Sequence, residues 1–352
     1  MRTIPAAGRK PQTVAGEALS GEGPWGSEPA NLDAASRSIV FSTLGRTEAL
    51  VDLLARLKRA QYQFVTPSLA THRRVLKREG PRLARDLRDV FGWSLPFEAD
   101  LLGPGWMETL AAAGLVQHVD GKGVLRSALR ASSLDADIFL HSAFPAAAAD
   151  AVFFGPDSYR FASFLKAELA DAPGGGLLVD LGAGAGVGGL VAARSARPGQ
   201  VVLTDINPRA LELCRVNAAG AGLDVRLVLG DGLQAAPDNL QLVVANPPFI
   251  AGRGGRTYRD GGDLHGARVS LEWSLAAAAK LARGGRLLLY TGSAIIGGED
   301  RFAAALRSSL AGEGFRLTYR ELDPDIFGAQ LSAPAYQDVE RIAAVGVRID
   351  RI

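Results

Sequence analysis

The 352-residue chain has one cysteine, two methionines and four histidines. A lone Cys214 excludes an internal disulfide and makes a structural zinc site unsupportable on thiolates. Cys214 reads as a small buried apolar side chain on a helix. His118 and His141 have no partners at ligand spacing and read as surface or satisfied histidines. No uninterrupted apolar run approaches the ~20 residues of a membrane span, and the N-terminus lacks the apolar core of a signal peptide. Net charge is only +2, so no chain-wide field points to a polyanion, and any such contact rests on a local patch. What remains is a soluble cytoplasmic protein without a metal, long enough for about two domains.

Glycine, by contrast, is concentrated where it matters. Leu177-Leu-Val-Asp-Leu181 is a short apolar run broken only by Asp180, the pattern of a buried parallel strand. Gly182, Gly184, Gly186, Gly188 and Gly189 follow, then an Ala/Val/Leu-rich helical segment. Strand, glycine turn and helix let backbone approach a nucleotide-like ligand closely. Gly184 to Gly189 satisfies G-x-G-x-x-G, the dinucleotide fingerprint. Asp180 to Gly186 also satisfies Asp-x-Gly-x-Gly-x-Gly. A carboxylate beside the turn repels a diphosphate and suits a ligand with an ammonium group, such as S-adenosylmethionine.

The surrounding chain divides into three parts. Residues 1–37 are rich in Pro and Gly with little apolar periodicity and read as a flexible tail. Residues 38–150 carry helical spacing at Leu50, Leu53, Leu54 and Leu57, and then a hairpin pattern at Val116–Val119 and Val124-Leu125. Helices followed by a small hairpin predict a mainly helical, winged-helix-like domain. A basic run lies within it: His72-Arg-Arg74, Lys77-Arg78, Arg82, Arg85 and Arg88. Glu79, Asp86 and Asp89 partly balance it, so it reads as a solvated helix face, with a phosphate-contacting surface as the alternative. Residues 151–352 form the third part.

That part opens on Gly155-Pro-Asp-Ser158, a turn in which Asp157 or Ser158 caps a helix or lids a cofactor. Val201–Asp205 is a second strand ending in a carboxylate, about 20–25 residues past the glycines, where nucleotide folds place an acid on ribose hydroxyls. Val225–Leu229 is a third strand, and Asp231 beyond it is placed for an adenine amino group. Leu240–Ala245 is a fourth strand and runs into Asn246-Pro247-Pro248-Phe249. Two prolines make a rigid, donor-poor loop. The Asn246 side-chain oxygen and the Pro247 carbonyl are acceptors that can hold a planar NH2 group and aim its lone pair, and Phe249 offers a flat face to an amide or base. In-line transfer of a methyl group needs little more than such positioning. The loop after it carries Arg253, Arg256 and Arg259 and reads as a substrate-facing flap.

Asp180-Leu-Gly-Ala-Gly-Ala-Gly186 with Asn246-Pro-Pro-Phe249 resembles the class I S-adenosylmethionine-dependent methyltransferases with an N-P-P-Y/F motif, from about Phe153 to the C-terminus. These include glutamine methyltransferases of release factors and ribosomal proteins, RNA-base methyltransferases and adenine DNA methyltransferases. Gly155–Tyr159 sits where the glutamine enzymes carry Arg-Pro-Glu-Thr-Glu, and lacks its arginine and final acid. Tyr258–Gly262, Phe327-Gly-Ala-Gln, Tyr336 and Arg341-Ile342 are similar to an actinobacterial, small-domain branch. The resemblance implies an α/β, Rossmann-like, seven-stranded mostly parallel sheet with an antiparallel final hairpin. The expected cofactor contacts are Asp157, Ser158, Asp180, Gly182, Gly184, Gly186, Asp205, Asp231 and Asn246; the expected acceptor contacts are Asn246, Pro247 and Phe249. The expected reaction is N-methylation of an RNA base, protein amide or small metabolite. Cyclisation of the cofactor's own aminobutyrate chain, a nicotinamide-dependent oxidoreductase and a non-catalytic binding protein are the other readings.

Overall fold

The computed structural model describes residues 34–119, 123–146, 148–170, 172, 174–230, 233, 236–250 and 264–352, with side chains from residue 45 onward. Most of the expected tail, Asp231 and the loop with Arg253, Arg256 and Arg259 lie outside the described residues. The N-terminal part runs α1 (Ala34–Arg59), α2 (Leu69–Glu79), α3 (Leu87–Phe91), β1 (Phe97–Glu98), α4 (Pro104–Ala112), β2 (Val116–His118) and β3 (Val124–Ser127). Its strands pair in the order β1-β3-β2, so the expected hairpin forms and takes β1 as a third strand, an arrangement like the wing of a winged helix. A second hairpin follows, β4 (Leu129–Leu134) and β5 (Asp137–Ser142). The sequence reading did not anticipate it: nearly every residue of both strands is buried, so neither shows period-2 alternation.

The C-terminal part runs α5 (Pro156–Glu168), β6 (Leu177–Leu181), α6 (Val187–Ala196), β7 (Gln200–Asp205), α7 (Pro208–Ala221), β8 (Arg226–Leu229), β9 (Leu240–Ala245), α8 (Arg268–Lys280), β10 (Leu281–Ile296), β11 (Glu299–Asp300), α9 (Arg301–Leu310), β12 (Phe315–Asp323) and β13 (Arg341–Arg351). The sheet order is β8-β7-β6-β9-β10-β13-β12, with β11 paired to β10. β8, β7, β6, β9 and β10 pair in parallel; β13 is antiparallel to β10 and to β12. This is the expected sheet, and its order reverses beside β6, where open α/β sheets form their ligand crevice.

Alternation along the strands assigns the two faces. Leu178, Leu203, Val244, Leu288 and Tyr290 share a core with α5, α6 and α7. Val179, Leu181, Val243, Ala245, Leu287 and Leu289 share another with α8 and α9. The first core does not stop at the N-terminal part. It runs on through Leu50, Leu53, Leu54, Phe91, Phe97, Leu110, Phe139 and Leu140. α1 crosses α7 at Gly220, where a Cβ would stand 2.5 Å from Leu54 Cδ1. Arg46–Glu212 (2.6 Å) and Arg194–Asp137 (2.7 Å) flank this joint.

Asn217 of α7 closes the joint. Its Oδ1 accepts from Leu140 N–H (2.8 Å), and its Nδ2 donates to Leu140 O (3.1 Å) and to Ala185 O (2.9 Å) in the glycine turn. Asn217→Ala strands these buried groups. It is expected to cost about 1–3 kcal/mol in denaturant unfolding and to speed amide exchange at Leu140; unchanged exchange there would show that the hairpin is held by packing alone.

Candidate active site

Three strand ends converge beside the sheet reversal: β6 at Asp180-Leu181, β7 at Asp205 and β9 at Ala245. Leu181 pairs with Ala245, so the glycine turn after Leu181 and the Asn246 loop after Ala245 leave adjacent strands side by side. The turn is tight: Gly182, Gly184 and Gly186 have φ of +63°, +56° and +83°, a region only glycine adopts without strain. Their surroundings differ. A Cβ on Gly182 would strike Trp273 Cη2 at 2.7 Å, whereas a Cβ on Gly184 would meet nothing. Gly182 therefore serves packing, and Gly184 presents bare backbone to open space.

Asp180 lies on the α6 face of β6 and is 1% exposed. Its Oδ2 accepts the Gly189 N–H at 2.6 Å. A Cβ on Gly188 would stand 2.7 Å from Phe161 Cε1 and 2.8 Å from Asp180 Oδ1, so the ring and the carboxylate together leave room only for glycine. Burial raises the Asp180 carboxyl to about 7, the Gly189 amide opposing and the nearby Asp205 charge adding to the rise. Asp180 thus ties strand to helix from inside; the open-side carboxylate expected at this position is not where its side chain points.

Asp205 is the carboxylate on the open side. Its Oδ2 accepts from Gly184 N–H (2.9 Å) and its Oδ1 from Asn207 N–H (2.8 Å). Burial pushes its carboxyl up, and the amides of Asn207, Gly184 and Ile206 pull against that. Each oxygen keeps acceptor capacity for a hydroxyl. Gly230 N–H donates to Asp205 O at 3.1 Å, bringing the end of β8 alongside. Ile206 and Leu229, 54% and 59% exposed, follow the two strands there. The sequence reading missed this apolar pair; its signal was an aliphatic residue next to a strand-end acid or at a strand end.

Asn246 carries a buried Oδ1 with no hydrogen-bond partner among the described residues. Such an atom is rare in a folded protein and marks a place where a donor is meant to arrive. Phe249 is 9% exposed, packed 6.3 Å from Tyr290 and 5.7 Å from Phe327, with Gly292 beneath it. The broad stacking face expected of Phe249 is thereby narrowed, because its neighbours cover most of the ring. Tyr290 and Phe327 were not foreseen as part of this corner, being far from the motif in sequence.

Asp157 and Ser158, expected at the cofactor, both have partners within the protein. α5 packs on β10, so Asp157 is buried and accepts from Tyr290 O–H at 2.7 Å, with Arg160 3.6 Å away. Burial raises its carboxyl. Ser158 Oγ accepts from Gly155 N–H at 3.2 Å as a helix cap. Both side chains are committed within the protein: Asp157 supports the aromatic corner behind Phe249, and Ser158 starts the helix.

Residues 150–292 match the methyltransferase small domain family. The ribosomal RNA small subunit methyltransferase C of Pseudomonas aeruginosa (strain UCBPP-PA14) is 34% identical over 161 residues, 45% of either chain. That of Stutzerimonas stutzeri (strain A1501) is 39% identical over 90 residues, 26% of this chain and 27% of its own. The chain thus matches less than half the length of these relatives. Among solved structures, M. jannaschii TYW2 in complex with AdoMet aligns over 67% of this chain and 90% of its own, at 14% identity and a TM-score of 0.45.

The buried Asp180 gives a measurable pH signature. Its folded-state carboxyl lies near 7 and its ordinary value at 3.8. A raised acid stabilises fully below about pH 4 and loses that contribution as pH climbs through 7. Asp180→Asn keeps the shape without ionising. In ligand-free protein, the melting temperature of D180N relative to wild type should rise from pH 4.5 to pH 8 by calorimetry; a flat difference would refute the shifted carboxyl.

Proposed function

We propose that this chain, whose C-terminal domain belongs to the class I S-adenosylmethionine-dependent methyltransferases, methylates an exocyclic amine of a ribosomal RNA base. The observation that carries the reading is the buried, unpartnered Oδ1 of Asn246 beside an open glycine turn. The similarity to proteins named ribosomal RNA small subunit methyltransferase C supports RNA over protein or metabolite as the acceptor.

The donor set fits the cofactor. Asp205 offers two carboxylate oxygens to ribose hydroxyls, Ile206 and Leu229 offer apolar cover for a purine, and Gly184 lets the ligand approach backbone. Bound S-adenosylmethionine supplies an electrophilic methyl group. The chain supplies position. The Asn246 oxygen and the Pro247 carbonyl accept the two hydrogens of a planar amine, which draws its lone pair out of conjugation and fixes its direction. The donor-poor Pro-Pro backbone leaves no N–H to compete for that lone pair. Tyr290, held by Asp157, and Phe327 keep the motif's end at Phe249 from moving. Burial of Asn246 keeps its acceptor unsolvated until the amine arrives, so the bond is stronger than in water.

Asn246→Ala should lower methyl transfer to RNA by about 100-fold or more while cofactor affinity, read by calorimetry, stays as in wild type; retained turnover would sink the role. Asp205→Ala should do the opposite, weakening cofactor binding by about 10–100-fold, the range for charged hydrogen bonds. Tritiated methyl transferred into fractionated lysate should be released by ribonuclease; protease-sensitive label would overturn the RNA reading.

A further inference from the structure

The basic run of the N-terminal part separates in the fold into two halves of different character. In the second half every acid is engaged. Arg82 pairs with Glu79 (2.7 Å) and Asp89 (2.6 Å), Arg85 with Asp89 (3.1 Å), and Arg88 with Asp86 (3.3 Å). The first half, on α2, gets none of this balance. Arg73, Arg74, Lys77 and Arg78 are exposed, and none has an ion pair among the described residues. At about 100° per residue these four span an arc of roughly 140° centred opposite His72. His72 is the buried residue of α2, its ring 5.2 Å from Trp93 and 4.1 Å from Phe144. One face of α2 is therefore anchored, and the other is wholly cationic.

Among the described residues the helix before the hairpin is different. α4, which precedes the wing, carries Glu108 and no Lys or Arg, and Thr109 Oγ1 donates from it to Asp52 of α1 at 2.7 Å. The segment leading into α2 is tied to α5. Ser68 caps it, and Thr66 N–H just ahead donates to Tyr159 Oη at 3.0 Å. Tyr159 lies two residues after Asp157 on α5, the helix whose Asp157 carboxylate holds Tyr290 behind Phe249.

We propose that the outer face of α2 is the docking surface for the RNA phosphate backbone, holding the strand that presents its base to Asn246. This rests on the RNA reading above. The charge complementarity is local, which is why a net charge of +2 conceals it. Long exposed cations on this face supply affinity and register through phosphates.

The test uses the full chain and a small-subunit ribosomal RNA fragment. The variant is Arg73→Gln, Arg74→Gln, Lys77→Gln and Arg78→Gln together, all good helix formers at exposed positions. RNA affinity, read by anisotropy over a salt series, should fall at low salt, and the slope of log K against log salt should flatten by about 3. KM for RNA should rise with kcat kept at saturating RNA, and cofactor affinity and melting temperature should not move. A variant with Arg73→Lys, Arg74→Lys and Arg78→Lys, which keeps all four charges, should retain the wild-type slope, and Arg283→Gln with Arg316→Gln, exposed cations elsewhere, should flatten it less. A wild-type slope in the Gln variant overturns the inference. So does normal binding of naked RNA with lost binding of small subunits, which assigns α2 to a protein. If wild type methylates no RNA, the function reading fails first; if it does and the slope is unchanged, only this inference fails.

Discussion

The bond between the Asp180 carboxylate and the Gly189 amide is the constraint on which the site depends. A carboxylate 1% exposed must find a donor or carry the cost of its burial. The nearest one is an orphan amide in the first turn of α6, two residues past Val187. Holding it brings the helix so close to β6 that Gly188 and Gly189 have no room for side chains. With the helix start fixed, five residues must span strand to helix, and they do so through three left-handed glycines. The second of these meets Asp205, and that contact sets the distance between the first two strand ends.

The same economy explains why the N-terminal part is not a loose appendage. Its helices and hairpin lack enough apolar surface facing one another to form a separate centre. They complete the core above α5, α6 and α7 instead. Asn217 and Ala185 link the hairpin to the back of the glycine turn, so the N-terminal part is registered to that turn by hydrogen bonds as well as packing. A rigid module suits a site whose acceptor has to be placed to within an ångström or so.

Electrostatics in this protein is a matter of pairing. Acids and bases are nearly equal in number, and most described arginines lie against a carboxylate or carbonyl. Two departures from pairing stand out: the open oxygen of Asn246 at the strand ends, and the four clustered cations on the outer face of α2.

Local patterns were enough to read the strands β6 and β9 to the residue, because buried parallel strands are short apolar runs stopped by glycine or proline. The Asn-Pro-Pro-Phe loop and the acid at Asp205 were legible for the same reason: strand ends in a parallel sheet face the crevice whatever else the chain does. The N-terminal hairpin showed because its turn is polar and its second strand alternates. Partnership was not legible. Sequence put Asp157 and Asp180 at the cofactor, yet packing of α5 on β10 and of α6 on β6 turned both carboxylates inward. It left Phe249 as an open plate, and Tyr290 of β10 with Phe327 from the segment after β12 covered it. It spread three acids over one basic run, and the turn after α2 delivered them all to one half. Periodicity and punctuation act within a few residues and survive in the sequence; which group meets which is decided by distant elements competing for the same buried donor or face, and only the assembled fold resolves that competition.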